Sequence, residues 1–339
     1  MRIVVTGGAG FIGSNAVKYF HNLGYEVVIF DNLSRIGTSK NLEWVQTFSK
    51  PKFILGDIRN YDLLFKSIEE SKSDVVLHLA GQVAVTTSVS EPRNDFEINA
   101  LGTFNVCEAV RNSINSPILI FSSTNKVYGK LENKKVIEMK HRYNFSEDDL
   151  HGVDESTPLQ FYSPYGCSKG AADQYVIDYA RIYGLKTVVF RQSCIYGTRQ
   201  MGVEDQGWVA WFTIACALRK KISIYGNGKQ VRDLLFVEDL IGAYHAAILR
   251  IDRCSGEAFN IGGGPSNTLS LLELMDLLRK RFGDPDYGYD LQRPGDQEIF
   301  VCDIQKAHNL LGWSPKVGVC DGVDILMDWV GDNLELFRT

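Results

Sequence analysis

No stretch of the 339 residues holds the roughly 18 apolar positions that a membrane helix requires. The start, "MRIVV", runs straight into a strand-like segment, without the basic region, longer apolar run and cleavage site of a secretion signal. The seven cysteines (Cys107, Cys167, Cys194, Cys216, Cys254, Cys302 and Cys320) are odd in number, widely spread and free of any CxxC pair. That argues against a disulfide framework or a zinc site; no metal is expected, and a reducing cytoplasm fits. Nor is there a basic excess: Lys+Arg 36 stand against Asp+Glu 41, net −5. Nothing there suits nucleic acid or a membrane surface, and an anionic substrate would need a local basic cluster. Internal repeats and low-complexity segments are absent too.

What is present is globular: 45% hydrophobic and 23% charged residues. The length suits two modest domains or one large α/β domain. Short apolar runs rich in β-branched residues occupy Ile3–Val5, Val27–Phe30, Phe53–Leu55, Val75–Leu79, Ile118–Phe121 and Thr187–Phe190, as strands buried on both faces should. Helix-like stretches lie between them, near Gly13–Leu23, Tyr61–Glu69, Asp95–Arg111 and Tyr165–Tyr183. The alternation predicts a doubly wound parallel sheet of the Rossmann type with right-handed crossovers. After residue 192 the pattern loosens, and Leu234–Leu249 reads as one more strand and helix returning to the sheet. The expected division is 1–192 plus 233–261 for a dinucleotide-binding domain, and 193–232 plus 262–339 for a smaller C-terminal substrate domain. Segment 130–161 is polar and poorly periodic, either a lid or a solvated insertion.

"VVTGGAGFIG" follows the first strand and opens a helix. Gly8-x-Gly10-x-x-Gly13 matches the dinucleotide fingerprint, and Gly7-x-x-Gly10-x-x-Gly13 is a second spacing. The loop must turn sharply, let a pyrophosphate approach bare backbone, and pack its helix close to the sheet. Asp31, 18 residues past Gly13 at the end of the second strand, can accept hydrogen bonds from ribose hydroxyls and would repel the extra phosphate of NADP, so NAD is expected. Asp57 in "LGDIRN" is placed to bond an adenine amino group. "LHLAGQ" ends the fourth strand with small residues that let backbone approach the cofactor, and Asn99 can face the cleft from its helix. His78, inside an apolar strand, reads as a satisfied core histidine.

"SPYGCSKGAADQY" holds Tyr165-x-x-x-Lys169, and residues four apart share a helix face. A free phenol, with a pKa of about 10, is a poor base at neutral pH. A nearby ammonium favours the phenolate, so Tyr165 can take a proton from a hydroxyl while hydride leaves the same carbon. In "IFSSTNKVYG" the fifth strand delivers Ser122, Ser123 and Thr124 to its carboxyl end, the edge where open α/β sheets bind ligands. Thr124 is placed to align the reacting hydroxyl with Tyr165.

In that order, GxxGxxG, Ser-Ser-Thr and YxxxK resemble the extended short-chain dehydrogenase/reductase family of sugar-nucleotide enzymes. The resemblance covers nearly the whole chain and includes "GNGKQVRDLLFVEDL", "FNIGGG", "RPGDQ" and "LGWSPK". It implies NAD held by Gly7, Gly10, Phe11, Ile12, Asp31, Asn32, Ser34, Asp57, Ile58, Leu79, Ala80, Gln82, Asn99, Ser122, Tyr165 and Lys169. It implies catalysis by Thr124, Tyr165 and Lys169, with Lys169 also holding the nicotinamide ribose. The nucleotide diphosphate falls to Arg232 and Arg293, whose guanidinium forks suit phosphate oxygens. Thr86, Ser88, Ser123, Gln206 and Trp208 are expected around the sugar, although Trp208 and Trp211 read equally as core. Cys194 should line the site without reacting.

Dehydratases of the family follow the Thr with Asp-Glu and its decarboxylases keep a Glu there; this chain has Asn125 and Lys126. The segments "SSTNKVYG", "DYARIYGL", "VVFRQSCIYGTRQ" and "DQGWVAWF" are similar to the branch that inverts carbon 2 of CDP-linked hexoses. The implied reaction is oxidation at carbon 2, rotation of the 2-keto sugar, and return of the hydride to its other face, with NAD unchanged. Two rivals remain: a UDP-glucose 4-epimerase type, or a 2-epimerase acting on CDP-glucose, using the same three residues; and a non-catalytic NAD-binding regulatory protein. The resemblance further implies a homodimer or homotetramer built on helices near 95–111 and 165–183.

Overall fold

The computed structural model describes residues 1–132, 134–146, 151–291 and 297–338. Its centre is a seven-stranded sheet, every pairing parallel. From one edge the strands run Glu257–Ile261, Thr187–Gln192, Ile118–Thr124, Val75–His78, Arg2–Thr6, Glu26–Asp31 and Lys52–Leu55. Chain order reverses between Arg2–Thr6 and Val75–His78, and such a reversal opens a crevice at the carboxyl ends of the strands.

The continuous apolar runs are explained by burial on both faces. Alternate residues feed opposite layers: Ile3, Val5, Val27, Ile29, Leu77, Ile120 and Phe190 join one core with Ala16, Val17, Phe20, Tyr244 and Ala247. Val4, Val28, Phe30, Val76, Leu119, Phe121 and Val189 join the other with Leu64, Ile68, Val106, Val110, Ala172 and Val176. Helices Phe11–Asn22 and Val237–Leu249 therefore cover one face, and Tyr61–Glu70, Gly102–Asn112 and Pro164–Tyr183 the other. The doubly wound expectation holds. No helix among the described residues is long and apolar enough to cross a membrane.

The structure corrects the expectation at several places. Helix Thr38–Phe48 lies between the second and third strands, where no helix was read. The helix expected over Asp95–Arg111 is composite: Pro92–Phe96 and Gly102–Asn112 flank a π-turn at Glu97–Leu101. The strand expected to return to the sheet, Val231–Phe236, does not. It pairs with Cys194–Tyr196, Thr268–Ser270 and Ile299–Phe300 in a second, smaller sheet. Only its helix, Val237–Leu249, comes back, followed by Glu257–Ile261 as the seventh strand. Within 130–161, strands Val136–Glu138 and Tyr143–Phe145 form an antiparallel hairpin. Tyr143 N–H donates to Lys229 O at 2.9 Å, and Arg142 donates to Thr268 at 2.7 Å and Glu273 at 3.2 Å.

Candidate active site

The glycine loop is shaped by its own packing. Gly7 has φ +71°, and a Cβ there would meet the Ala80 nitrogen at 2.7 Å. A Cβ at Gly13 would lie 2.1 Å from Gly7 O. These two glycines let the loop, its helix and the end of strand Val75–His78 touch. Helix Phe11–Asn22 begins at Gly10 with no side-chain cap and no acid in its first turn. Helices Tyr61–Glu70, Pro164–Tyr183 and Leu271–Phe282 are each capped, by Asn60, Ser163 and Ser270. The first-turn N–H groups at Phe11 and Ile12 are thus left for a ligand, and their partial positive charge suits a pyrophosphate. The residues present fit NAD.

Asp31 is buried at the end of its strand. Its Oδ2 accepts from Ala9 N–H at 3.0 Å and its Oδ1 from Leu33 N–H at 2.8 Å, and burial pushes its carboxyl up. Asn32 and Ser34 follow it, exposed; Asn32 donates to Asp57 at 2.9 Å and accepts from Ser34 N–H at 3.1 Å. Asp57 also takes the Arg59 guanidinium on both oxygens, at 2.9 and 2.8 Å, which holds it at about 2. An adenine contact through Asp57 therefore has to share a carboxylate already engaged. Ile58 is buried, and a Cβ at Gly102 would meet it at 2.5 Å.

His78 is fully buried, as expected of a core residue. Thr6 Oγ1 lies 2.7 Å from its Nδ1 and Thr103 Oγ1 3.0 Å from its Nε2. Thr103 itself donates to Asn99 O at 2.6 Å, so the imidazole carries its proton on Nε2. Leu79 N–H donates to Thr6 O at 3.0 Å, and Ala80 N–H reaches the Thr6 hydroxyl at 3.4 Å. Asn99 sits in the π-turn, a helix irregularity frequent at functional sites. It accepts from Gln82 N–H and donates to Gln82 O, both at 3.0 Å, and donates to Asp95 at 3.0 Å.

Thr124, Tyr165 and Lys169 come together at the carboxyl edge of strand Ile118–Thr124. Tyr165 lies beside Thr124, whose hydroxyl favours the phenolate. Lys169 Nζ donates to Ser122 O at 2.6 Å and sits 4.2 Å from the Phe121 ring centroid. All three are almost fully buried. The expected lowering of the phenol is not met by the protein alone. Burial pushes Tyr165 up to about 12, outweighing the Thr124 hydrogen bond and the charge of Arg35. Burial also brings Lys169 down to about 7, against the carboxylates of Asp173 and Asp95.

The residues expected around the substrate divide. Arg232 is buried in strand Val231–Phe236, donating to Val231 O and Gln297 O, both at 2.7 Å. Its charge and that of Lys126 only partly offset burial, which pushes the Cys194 thiol up. Gln206 accepts from Arg35 at 2.5 Å, and Thr86 is exposed on helix Val85–Ser90. Two placements differ from expectation. Ser88 is fully buried and donates to Val85 O at 2.7 Å. Ser123 points to the opposite side of its strand from Ser122 and Thr124, because side chains alternate, and donates to buried Asp173 at 2.8 Å. Arg293 lies outside the described residues.

Sequence reasoning missed three groups. Arg35 links Gln206 to the surroundings of Asp31 and Tyr165. Asp95 and Ser168 are bonded to each other at 2.5 Å beside Lys169. Asp173 makes a bidentate ion pair with Arg191, both contacts at 3.0 Å, and Arg191 reaches Tyr128 at 3.1 Å. Spacing held a signal for two of them, since Asp95 and Asp173 each lie four residues along a helix from a residue already singled out.

The model of the NAD dependent epimerase/dehydratase family matches residues 3–262. CDP-paratose 2-epimerase of Salmonella typhi is 49% identical over 97% of this chain and 99% of its own. A putative UDP-glucose 4-epimerase of Methanocaldococcus jannaschii is 33% identical over 98% of this chain and 99% of its own. Among solved structures, the UDP-glucose 4-epimerase of Thermus thermophilus in complex with NAD superposes with a TM-score of 0.82 at 31% identity, covering 97% of this chain and 98% of that one.

Proposed function

From the premise that the chain belongs to the NAD dependent epimerase/dehydratase family, we propose that it inverts carbon 2 of a CDP-linked hexose of the paratose/tyvelose type. The observation that carries this reading is the Thr124–Tyr165 couple beside Lys169, followed by Asn125 and Lys126 where elimination would require an acid. The 49% identity to CDP-paratose 2-epimerase supports the position of the chemistry and the base.

Tyr165 receives the proton of the carbon 2 hydroxyl and later returns it. Thr124, beside Tyr165, holds that hydroxyl in line. Lys169, fixed on Ser122 O, provides the positive charge that offsets the buried phenolate. The uncapped N–H groups after Gly10, Asp31, and the backbone at Leu79, Ala80 and Gln82 would hold NAD, which when bound would supply reversible hydride exchange at carbon 2. Arg232 secures the diphosphate while the flattened sugar turns over, with Arg293 as its proposed partner. Residues 1–192 with 233–261 form the NAD-binding domain in this reading, and 193–232 with 262–339 the substrate domain. The change of sheet at Phe236/Val237 supports a boundary within a few residues of 233. The seven cysteines, all free thiols in this fold, fit a cytoplasmic location.

The test is product analysis by NMR after incubation with CDP-paratose, CDP-glucose and UDP-glucose, run in heavy water without added cofactor. Inversion at carbon 2 of a CDP-sugar is expected, with no solvent deuterium at that carbon. Tyr165→Phe should keep its NAD and lose about 10³-fold in kcat. Turnover of UDP-glucose alone would favour a 4-epimerase, and substantial deuterium at carbon 2 would sink hydride return.

A further inference from the structure

The titratable and charged groups around Lys169 and Tyr165 come from two strands, two helices and one loop. His78, on strand Val75–His78, is neutral because burial depresses it. Asp173, on Lys169's own helix, is matched by the bidentate Arg191 of strand Thr187–Gln192. Tyr165 lies one helical turn away and feels Arg35 from the loop after Asp31. Asp95, on helix Pro92–Phe96, is the other carboxylate acting on Lys169 among the described residues, and it is 1% exposed.

Asp95 accepts three hydrogen bonds. Its Oδ1 takes Gln82 Nε2 at 2.8 Å and Asn99 Nδ2 at 3.0 Å, and its Oδ2 takes the Ser168 hydroxyl at 2.5 Å. Among the described residues every one of these donors is neutral. A buried carboxylate without a cation at hydrogen-bond distance needs one nearby. Ser168 is the residue next to Lys169. A Cβ at Gly81 would lie 3.0 Å from Asn99 Oδ1 and 4.0 Å from Lys169 Nζ, so the ammonium and the Asp95 cage share one small space.

We propose that Asp95 is the counter-charge of Lys169, a positioning residue that sets the pH range of the Tyr165–Lys169 proton couple while touching neither substrate nor cofactor. This rests on Tyr165 and Lys169 being the catalytic pair. Asp95 and Asp173 both raise the proton affinity of the lysine, and Asp95 raises that of the phenol as well. Asp173 acts more strongly on the lysine but shares its charge with the bidentate Arg191, whereas Asp95 is met at hydrogen-bond distance by neutral donors alone among the described residues. Removing it makes both members of the couple give up protons more readily, so each titration of the pair moves to lower pH.

Asp95→Asn is the isosteric test. An Asn oxygen still accepts from Gln82 and Asn99, while its amide donates to Ser168, whose hydroxyl then turns to Tyr165 O, already 3.2 Å away. The expected result is a pH profile of kcat displaced as a whole by about 1 unit to the acid side, with NAD content and melting temperature near those of the parent. Asp95→Ser, which also removes the charge, should displace it the same way. Ser168→Ala removes a hydrogen bond but no charge and should leave the profile in place. The same shift should appear without any sugar, in the tyrosinate absorbance of NAD-loaded protein that Tyr165→Phe abolishes. An unmoved titration in both Asp95 variants, or an equal displacement in Ser168→Ala, overturns the proposal. Full epimerase activity in Tyr165→Phe would instead overturn the catalytic pair beneath it.

Discussion

At His78 the structure keeps a neutral imidazole where a charge would have nowhere to go. Both ring nitrogens are hydrogen-bonded to threonines, and through Thr6 and Thr103 the ring ties the glycine-loop strand to the π-turn that carries Asn99. Burial, reinforced by the charge of Lys169, lowers its pKa to about 3. The sign follows from linkage. Below its ordinary pKa of about 6.5 the unfolded chain binds a proton that the folded chain refuses, so stability falls with falling pH between about 6.5 and about 3. From neutral pH to about pH 5 this residue alone should cost about 2 kcal/mol. Urea unfolding of His78→Gln and the parent at both pH values checks it: the variant should lose less on acidification. The same neighbourhood shows what one residue discloses in a sequence. Thr124, Tyr165 and Lys169 were legible because few residue types do their chemistry and their spacing is fixed. Asp95 was not, because a carboxylate in "EPRNDFE" reads as solvated surface until the fold encloses it. Ser123 was misplaced because a Ser-Ser-Thr run does not say which member faces the cleft.

One element, helix Pro164–Tyr183, carries the site because its residues repeat at four. Tyr165, Lys169 and Asp173 fall on one face, and Ala172, Val176 and Tyr179 turn into the core below the sheet. Asp173 is fully buried and fastens the helix to two strands at once, through Arg191 and Ser123. Breaking that pair from one side leaves a buried guanidinium uncompensated. Asp173→Asn should therefore lose about 3–5 kcal/mol of stability in denaturant titration. A packed apolar replacement of both Asp173 and Arg191 should recover part of it. Elements with a strong apolar run were readable in advance. Helix Thr38–Phe48 was not, since "TSKNLEWVQTF" buries only Thr38, Asn41, Leu42 and Val45. Strand Val231–Phe236 was readable as a strand, but its partners were not: it is buried along its whole length in the smaller sheet, and burial alone does not tell one sheet from another.

At the scale of the whole molecule, one stretch of the described surface is apolar and continuous. Leu101, Phe104, Tyr175, Ile182 and Tyr183 are exposed large hydrophobic residues on the adjoining helices Gly102–Asn112 and Pro164–Tyr183 and the π-turn before them. Their rings are continuous: Phe104 meets Tyr175 at 5.7 Å and Tyr179 at 6.4 Å, and Tyr179 meets Tyr183 at 4.8 Å. A contiguous apolar face of this kind marks an interaction site, and two parallel-packed helices present the same patch to a second copy across a two-fold axis. The homodimer or homotetramer that the sequence resemblance implies would bury that face and leave each cleft open, since Tyr165 and Lys169 point from the same helix into the protein rather than toward its outer side. Phe104→Glu with Tyr175→Glu puts like charges where the two copies would meet. Sedimentation should then show a monomer that retains its NAD, whereas a parent protein that already sediments as a monomer would remove the dimer from the picture.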